Sequence, residues 1–112
     1  MKKHVLKPII TDDMRRIYNF FSSNSKTYSK IAITSEELSI LTGYTPKDIL
    51  KIIKSINNEP KFKLVILGSA KGYKIIDKDN KATAERTIKE REVRCNNELI
   101  YIHHLAEKID NI

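Results

Sequence analysis

The sequence predicts an α+β fold, mostly α: a three-helix core plus a β-hairpin, with a long C-terminal helix. Three observations lead there. Two short amphipathic runs flank Gly43, an alternating pattern bounded by glycines fills residues 62–76, and residues 79–112 contain no Gly or Pro to break a helix. With 112 residues the chain has length for one compact domain and an appended helix, and is too short for two full domains.

The elements follow in order. Residues 1–10, ending Lys7-Pro8-Ile9-Ile10, read as an N-terminal arm. Thr11 or Asp12 caps a first helix in which Met14, Ile17, Tyr18 and Phe21 share one face, and Ser22-Ser23-Asn24-Ser25 ends it. Lys30-Ile31-Ala32-Ile33 is a short β-like run. Thr34-Ser35-Glu36-Glu37 starts a second helix, expected to bury Leu38 and Leu41 before Gly43 stops it. Thr45 caps a third helix with Pro46 at its first position, where a missing N–H costs nothing. That helix runs to about Asn57. Its Ile49, Ile53 and Ile56 share a face with Ile52 beside them, and Lys47, Lys51, Lys54 and Asn58 fall on the opposite side.

In the hairpin, alternation turns Phe62, Leu64, Ile66, Tyr73 and Ile75 inward and Lys63, Val65 and Lys74 outward, around the turn Gly68-Ser69-Ala70-Lys71-Gly72. Residues 79–112 read as one helix. Its apolar or small positions Ile88, Cys95, Leu99, Ile102, Ala106 and Ile109 form a seam that steps by four and three from residue 95 onward.

The chain is basic, with 21 Lys and Arg against 14 Asp and Glu, a net charge of +7. The excess is concentrated in residues 43–81, where nine lysines face only Asp48, Glu59, Asp77 and Asp79; residues 12–42 balance. A local surplus of this kind favours a polyanion, nucleic acid before an anionic membrane. The single cysteine, Cys95, allows no internal disulfide and points to a reducing compartment. Without an apolar leader or a membrane-length apolar run, a cytoplasmic protein with no membrane partner is expected.

Catalytic candidates fail on geometry. Cys95 and His103 are eight residues apart, which on one continuous helix is about 12 Å of rise. His103 and His104 are adjacent, diverge by about 100°, and cannot chelate one metal alone. The turn Gly68–Gly72 lacks phosphate-loop spacing. No enzyme, metal or cofactor is expected.

The segment from Thr34 to Lys54 resembles a helix-turn-helix: Leu38 and the small Ser39 where the first helix packs near the second, Gly43 in the turn, Ile49 and Ile52 in the core of the second. With the hairpin it is similar, over residues 12–76, to the winged helix-turn-helix superfamily of bacterial and phage regulators. The resemblance implies a winged helix-turn-helix domain over residues 11–78, with double-stranded DNA bound by the helix at 45–57 and the wing at 62–76. It implies transcription regulation at the nucleoid. The residues expected at DNA are Tyr44, Thr45, Lys47, Lys51, Lys54 and Ser55, with Lys71 and Lys74 on the wing. The lysine stripe suits phosphates, while the absence of Arg and Gln from the helix leaves base reading open. The C-terminal seam is expected to pair two copies into a homodimer, which suits two-fold operators.

A Lys/Asn/Ile-rich composition points to a bacteriophage or mobile element. Two alternatives share the fold. One is a protein-binding inhibitor of a host or CRISPR nuclease, or an antirepressor, with a host protein as partner. The other is a replication or recombination accessory factor. Fold alone does not separate them.

Overall fold

Side-chain caps set where the helices begin, and they do so in the computed structural model as the local sequence requires. The structure describes residues 10–94 and 99–112, the side chains of 90–94, 99 and 100 excepted. Among the described residues the fold is α+β and mostly helical, with six helices and one two-stranded antiparallel sheet. The elements are α1 (Asp12–Ser23), α2 (Ser25–Tyr28), α3 (Ser35–Thr42), α4 (Pro46–Asn58), β1 (Val65–Ser69), β2 (Gly72–Ile76), α5 (Lys81–Arg94) and α6 (Leu99–Asp110).

Thr11 Oγ1 accepts the Met14 N–H at 3.2 Å and caps α1. Thr34 and Glu37 form a reciprocal capping box on α3, each side chain accepting the other residue's backbone N–H. Gly43 then ends α3 in the left-handed region, φ 83°, and donates its N–H to Ser39 O at 2.8 Å. Only two residues later Thr45 caps α4, with Pro46 in its first turn. The tight turn between α3 and α4 is therefore local chemistry.

The first core forms between α1, α3, α4 and one face of the sheet. Met14, Ile17 and Phe21 meet Leu38, the α4 row Ile49, Ile53 and Ile56, and Ile66, Tyr73 and Ile75 of the strands. The strand register pairs Ile66 with Ile75, Leu67 with Lys74 and Gly68 with Tyr73. Ile33 joins the edge of β2 through a single bridge, its N–H donating to Tyr73 O and its carbonyl accepting from Tyr73 N–H. The β-like run at 30–33 thus contributes one paired residue.

The other face of the sheet is also buried. Val65, Leu67 and Ile76 pack against Ala84 and Ile88 of α5 and Ile102, Leu105 and Ile109 of α6. Here the structure corrects the expected single C-terminal helix: α5 and α6 are separate and pack on each other. The seam residues Ile88, Ile102 and Ile109 are interior side chains of one chain, and Ala106 is half-buried against the same core. Cys95 and the Leu99 side chain lie outside the described residues. With α5 and α6 separate, a single helical rise no longer sets the distance from Cys95 to His103. The physical reason is that heptad spacing serves a helix pair within a chain as well as one between chains. A sheet with three apolar residues on its second face supplies the surface to cover.

Two smaller differences concern helices. Leu41, expected in the core with Leu38, is 62% exposed. The eight-residue α3 packs chiefly on α4, and Leu38 takes that one line of contact. The short helix α2 lies in a stretch whose spacing carries no helical signal. The N-terminal arm lies outside the described residues apart from Ile10, which packs half-buried on the first core. No helix among the described residues is long and apolar enough to cross a membrane.

Candidate functional site

Helix α4 has a solvent face along its length and, towards its C-terminus, a side covered by α6. Its core row fixes its roll, so Lys47, Lys51 and Ser55 face solvent on the side away from Ile49, Ile53 and Ile56. These three positions span about 12 Å along the axis. Lys47 and Lys51 are two exposed ammonium groups one turn apart. Asp48, also exposed, donates its backbone N–H to the Thr45 hydroxyl at 3.2 Å, so Thr45 acts as a cap. Ser55 donates its hydroxyl back to Lys51 O at 3.0 Å.

Tyr44, expected at DNA, is half-buried with its hydroxyl at the surface. Its hydroxyl donates to Asp13 Oδ1 at 2.6 Å, and its ring packs on the first core. The carboxylate accepting that proton holds the phenol pKa above its ordinary value. Arg16 lies at the same hydroxyl and pulls the other way, so the hydroxyl has one neighbour of each charge.

The C-terminal half of α4 is covered on one side by α6. Lys54 is half-buried with its ammonium 5.3 Å from the centre of the Tyr101 ring, a cation–π arrangement. His104 Nδ1 lies 2.7 Å from Asn58 Oδ1. Lys108 donates to the carbonyl of Ile56 at 3.0 Å, which also accepts the Glu59 N–H, and to that of Phe62 at 2.9 Å, tying α6 to the end of α4 and the segment after it. Burial pulls the Lys108 pKa down to about 8, against the pull of the Glu59 charge and aided by Lys63. Asn57 is fully buried: its amide donates to Ile66 O and the Tyr101 hydroxyl, and its carbonyl accepts the Ile66 N–H.

Sequence reasoning misses Asn57, Tyr101 and Lys108 as organising residues. For Asn57 a signal exists, since it continues the Ile49–Ile53 register by one turn and a buried amide must find partners. Tyr101 and Lys108 carry none, because their roles depend on α6 folding back.

The hairpin separates its two lysines. Lys71 is exposed at the tip, in a turn closed by the Ser69–Gly72 pair. Lys74 pairs with Leu67, which belongs to the second core, whereas the face towards α4 carries Gly68 and Tyr73. Lys74 therefore sits on the side of the sheet away from α4. Among the described residues, no group of three or more His, Cys, Asp or Glu could hold a metal ion.

No family model, curated protein or solved structure matches this chain.

Proposed function

We propose that this chain is a double-stranded DNA-binding protein of winged-helix type and acts as a transcriptional regulator. The order α1, α3, a tight Gly43 turn, α4 and a hairpin edged by the Ile33 bridge, with the short α2 after α1, is compatible with that architecture. One observation carries the reading: α6 leaves the N-terminal half of α4 uncovered, with Lys47 and Lys51 exposed against the single charge of Asp48, and Ser55 exposed on the same face one turn further on. In helix-turn-helix recognition it is the N-terminal residues of the second helix that meet base edges. Lys71 at the hairpin tip supplies a flanking phosphate contact, and Lys54 serves at most the edge of the footprint because it rests on Tyr101. The buried seam residues Ile88, Ile102 and Ile109 have no part in this reading.

Fluorescence anisotropy of a labelled duplex at two salt concentrations tests this. The native chain binds, and removing one lysine that neutralises a phosphate lowers the salt slope by about 0.9. Lys47→Glu with Lys51→Glu weakens binding at least about tenfold. Equal affinity in that double variant would sink the reading.

A second reading, a protein-binding module, is favoured by α3. Ile40 is 83% exposed beside the exposed Leu41, a pairing of large apolar side chains that DNA contact leaves unexplained. Under that reading, the lysine variants keep their partner and the native chain shows little affinity for duplex.

A further inference from the structure

The outer side of the sheet holds a cleft of which the DNA reading uses only Lys71. It lies where β1 and β2, residues 30–32 and the first two turns of α5 meet, and its volume is about 510 Å³. Small-ligand sites fall in this size range. Lys30, Lys71 and Lys74 all line it, and among the described residues no carboxylate does. Asp77, close in sequence, is turned into its own loop, where Oδ1 accepts the N–H groups of Asp79 and Asn80. Three lysines with no carboxylate in the described lining make the cleft positive, which suits an anion.

The remainder of the lining is of a different kind. Leu67, Ile76 and Ala84 are buried and make an apolar floor, and Ile31 beside them is 58% exposed. An isoleucine this open next to a cationic cleft suits a ligand with a flat apolar body. Thr83 adds a hydroxyl. The walls are also held in place before any ligand arrives. The Asn80 amide donates to Ser29 O and Ile75 O, and its carbonyl accepts the Asp77 N–H. One side chain thus ties the Lys30 segment, the end of β2 and the start of α5, which lowers the ordering cost of binding.

We infer that this cleft binds a mononucleotide-class ligand, its phosphate among Lys30, Lys71 and Lys74 and its base over Leu67, Ile76 and Ile31. Duplex DNA offers the phosphate but keeps its bases stacked, out of reach of the apolar floor. The inference shares Lys71 with the DNA reading, but neither Lys47 nor Lys51 lines the cleft, so variants at Lys30, Lys74 and Lys51 tell the two apart.

The test is an NMR titration of the full chain with the four ribonucleoside monophosphates, with inorganic phosphate and adenosine as the two halves of the ligand. At least one monophosphate shifts the backbone amides of Lys30, Lys74 and Thr83, and each half alone binds at least about tenfold more weakly. Lys30→Glu, at an exposed side chain, and Lys74→Glu each lower affinity about tenfold or more, whereas Lys51→Glu leaves it unchanged. The inference is overturned if no monophosphate shifts those amides, or if binding survives both variants. It is equally overturned if the cleft variants weaken duplex affinity while nucleotide binding is absent. Failure of the α4 variants to affect duplex binding would count against the DNA reading alone.

Discussion

At Gly72 the backbone leaves no room for a side chain. Its φ of 121° disfavours any L residue, and a Cβ there would overlap the Ile33 carbonyl. Gly72→Ala is expected to cost about 2 kcal/mol or more, read as a fall in the denaturant midpoint. Strain and disruption of the Ile33–Tyr73 bridge both contribute. Lys108 offers a different residue-scale test. Its folded pKa is lowered to about 8 from 10.5, so between those values the unfolded chain holds more protons than the folded one. Stability therefore rises with pH across that window, as the penalty for burying the ammonium is relieved. Below about 8 the group is charged in both states and contributes no slope. Denaturation curves of the native chain and Lys108→Met, compared across the window, should show the native chain gaining relative to the variant.

Between elements, Asn57 joins three of them. It sits on α4, pairs with both backbone groups of Ile66 on the open edge of β1, and donates to Tyr101 on α6. The amide meets that edge much as a neighbouring strand would. Removing it leaves the Ile66 N–H and carbonyl buried without these partners, so Asn57→Ala is expected to cost about 2 kcal/mol. The destabilisation should appear in equilibrium unfolding. Hydrogen exchange at the Ile66 amide should accelerate with it. Helix α4 likewise shows how an element's function is bounded by its neighbours. Its lysine stripe is continuous in sequence, yet α6 takes Lys54 and Asn58 into contacts of its own, and only Lys47 and Lys51 stay open to a polyanion.

Across the whole molecule, the sheet lies between two cores, one built with α1, α3 and α4 and the other with α5 and α6. A boundary after residue 78 would separate the second core from the strand residues it covers. A chain ending there would expose Val65, Leu67 and Ile76 and leave the end of α4 without its α6 cover. It is expected to be unfolded or aggregated, measured by circular dichroism and by the absence of dispersed amide signals. A folded, soluble truncated chain would show that the C-terminal helices are an accessory.

Interactions within a few residues are readable along the chain. The caps at Thr11, Thr34 and Thr45, the left-handed Gly43 and the isoleucine row of α4 arise from spacing and from backbone chemistry next door. The inward set of strand residues follows from a period of two. What spacing leaves open is which surface an apolar face meets. Ile88, Ile102 and Ile109 have the same rhythm whether the neighbour is another copy or their own sheet, and it is the return of α6 that buries them with Val65, Leu67 and Ile76. The same holds for Lys74, whose outward direction is legible, while the neighbours on that side, Lys30 and α5, are brought there by distant parts of the chain. Contacts across long sequence separations depend on the sum of packing over the molecule, and no local pattern records that sum.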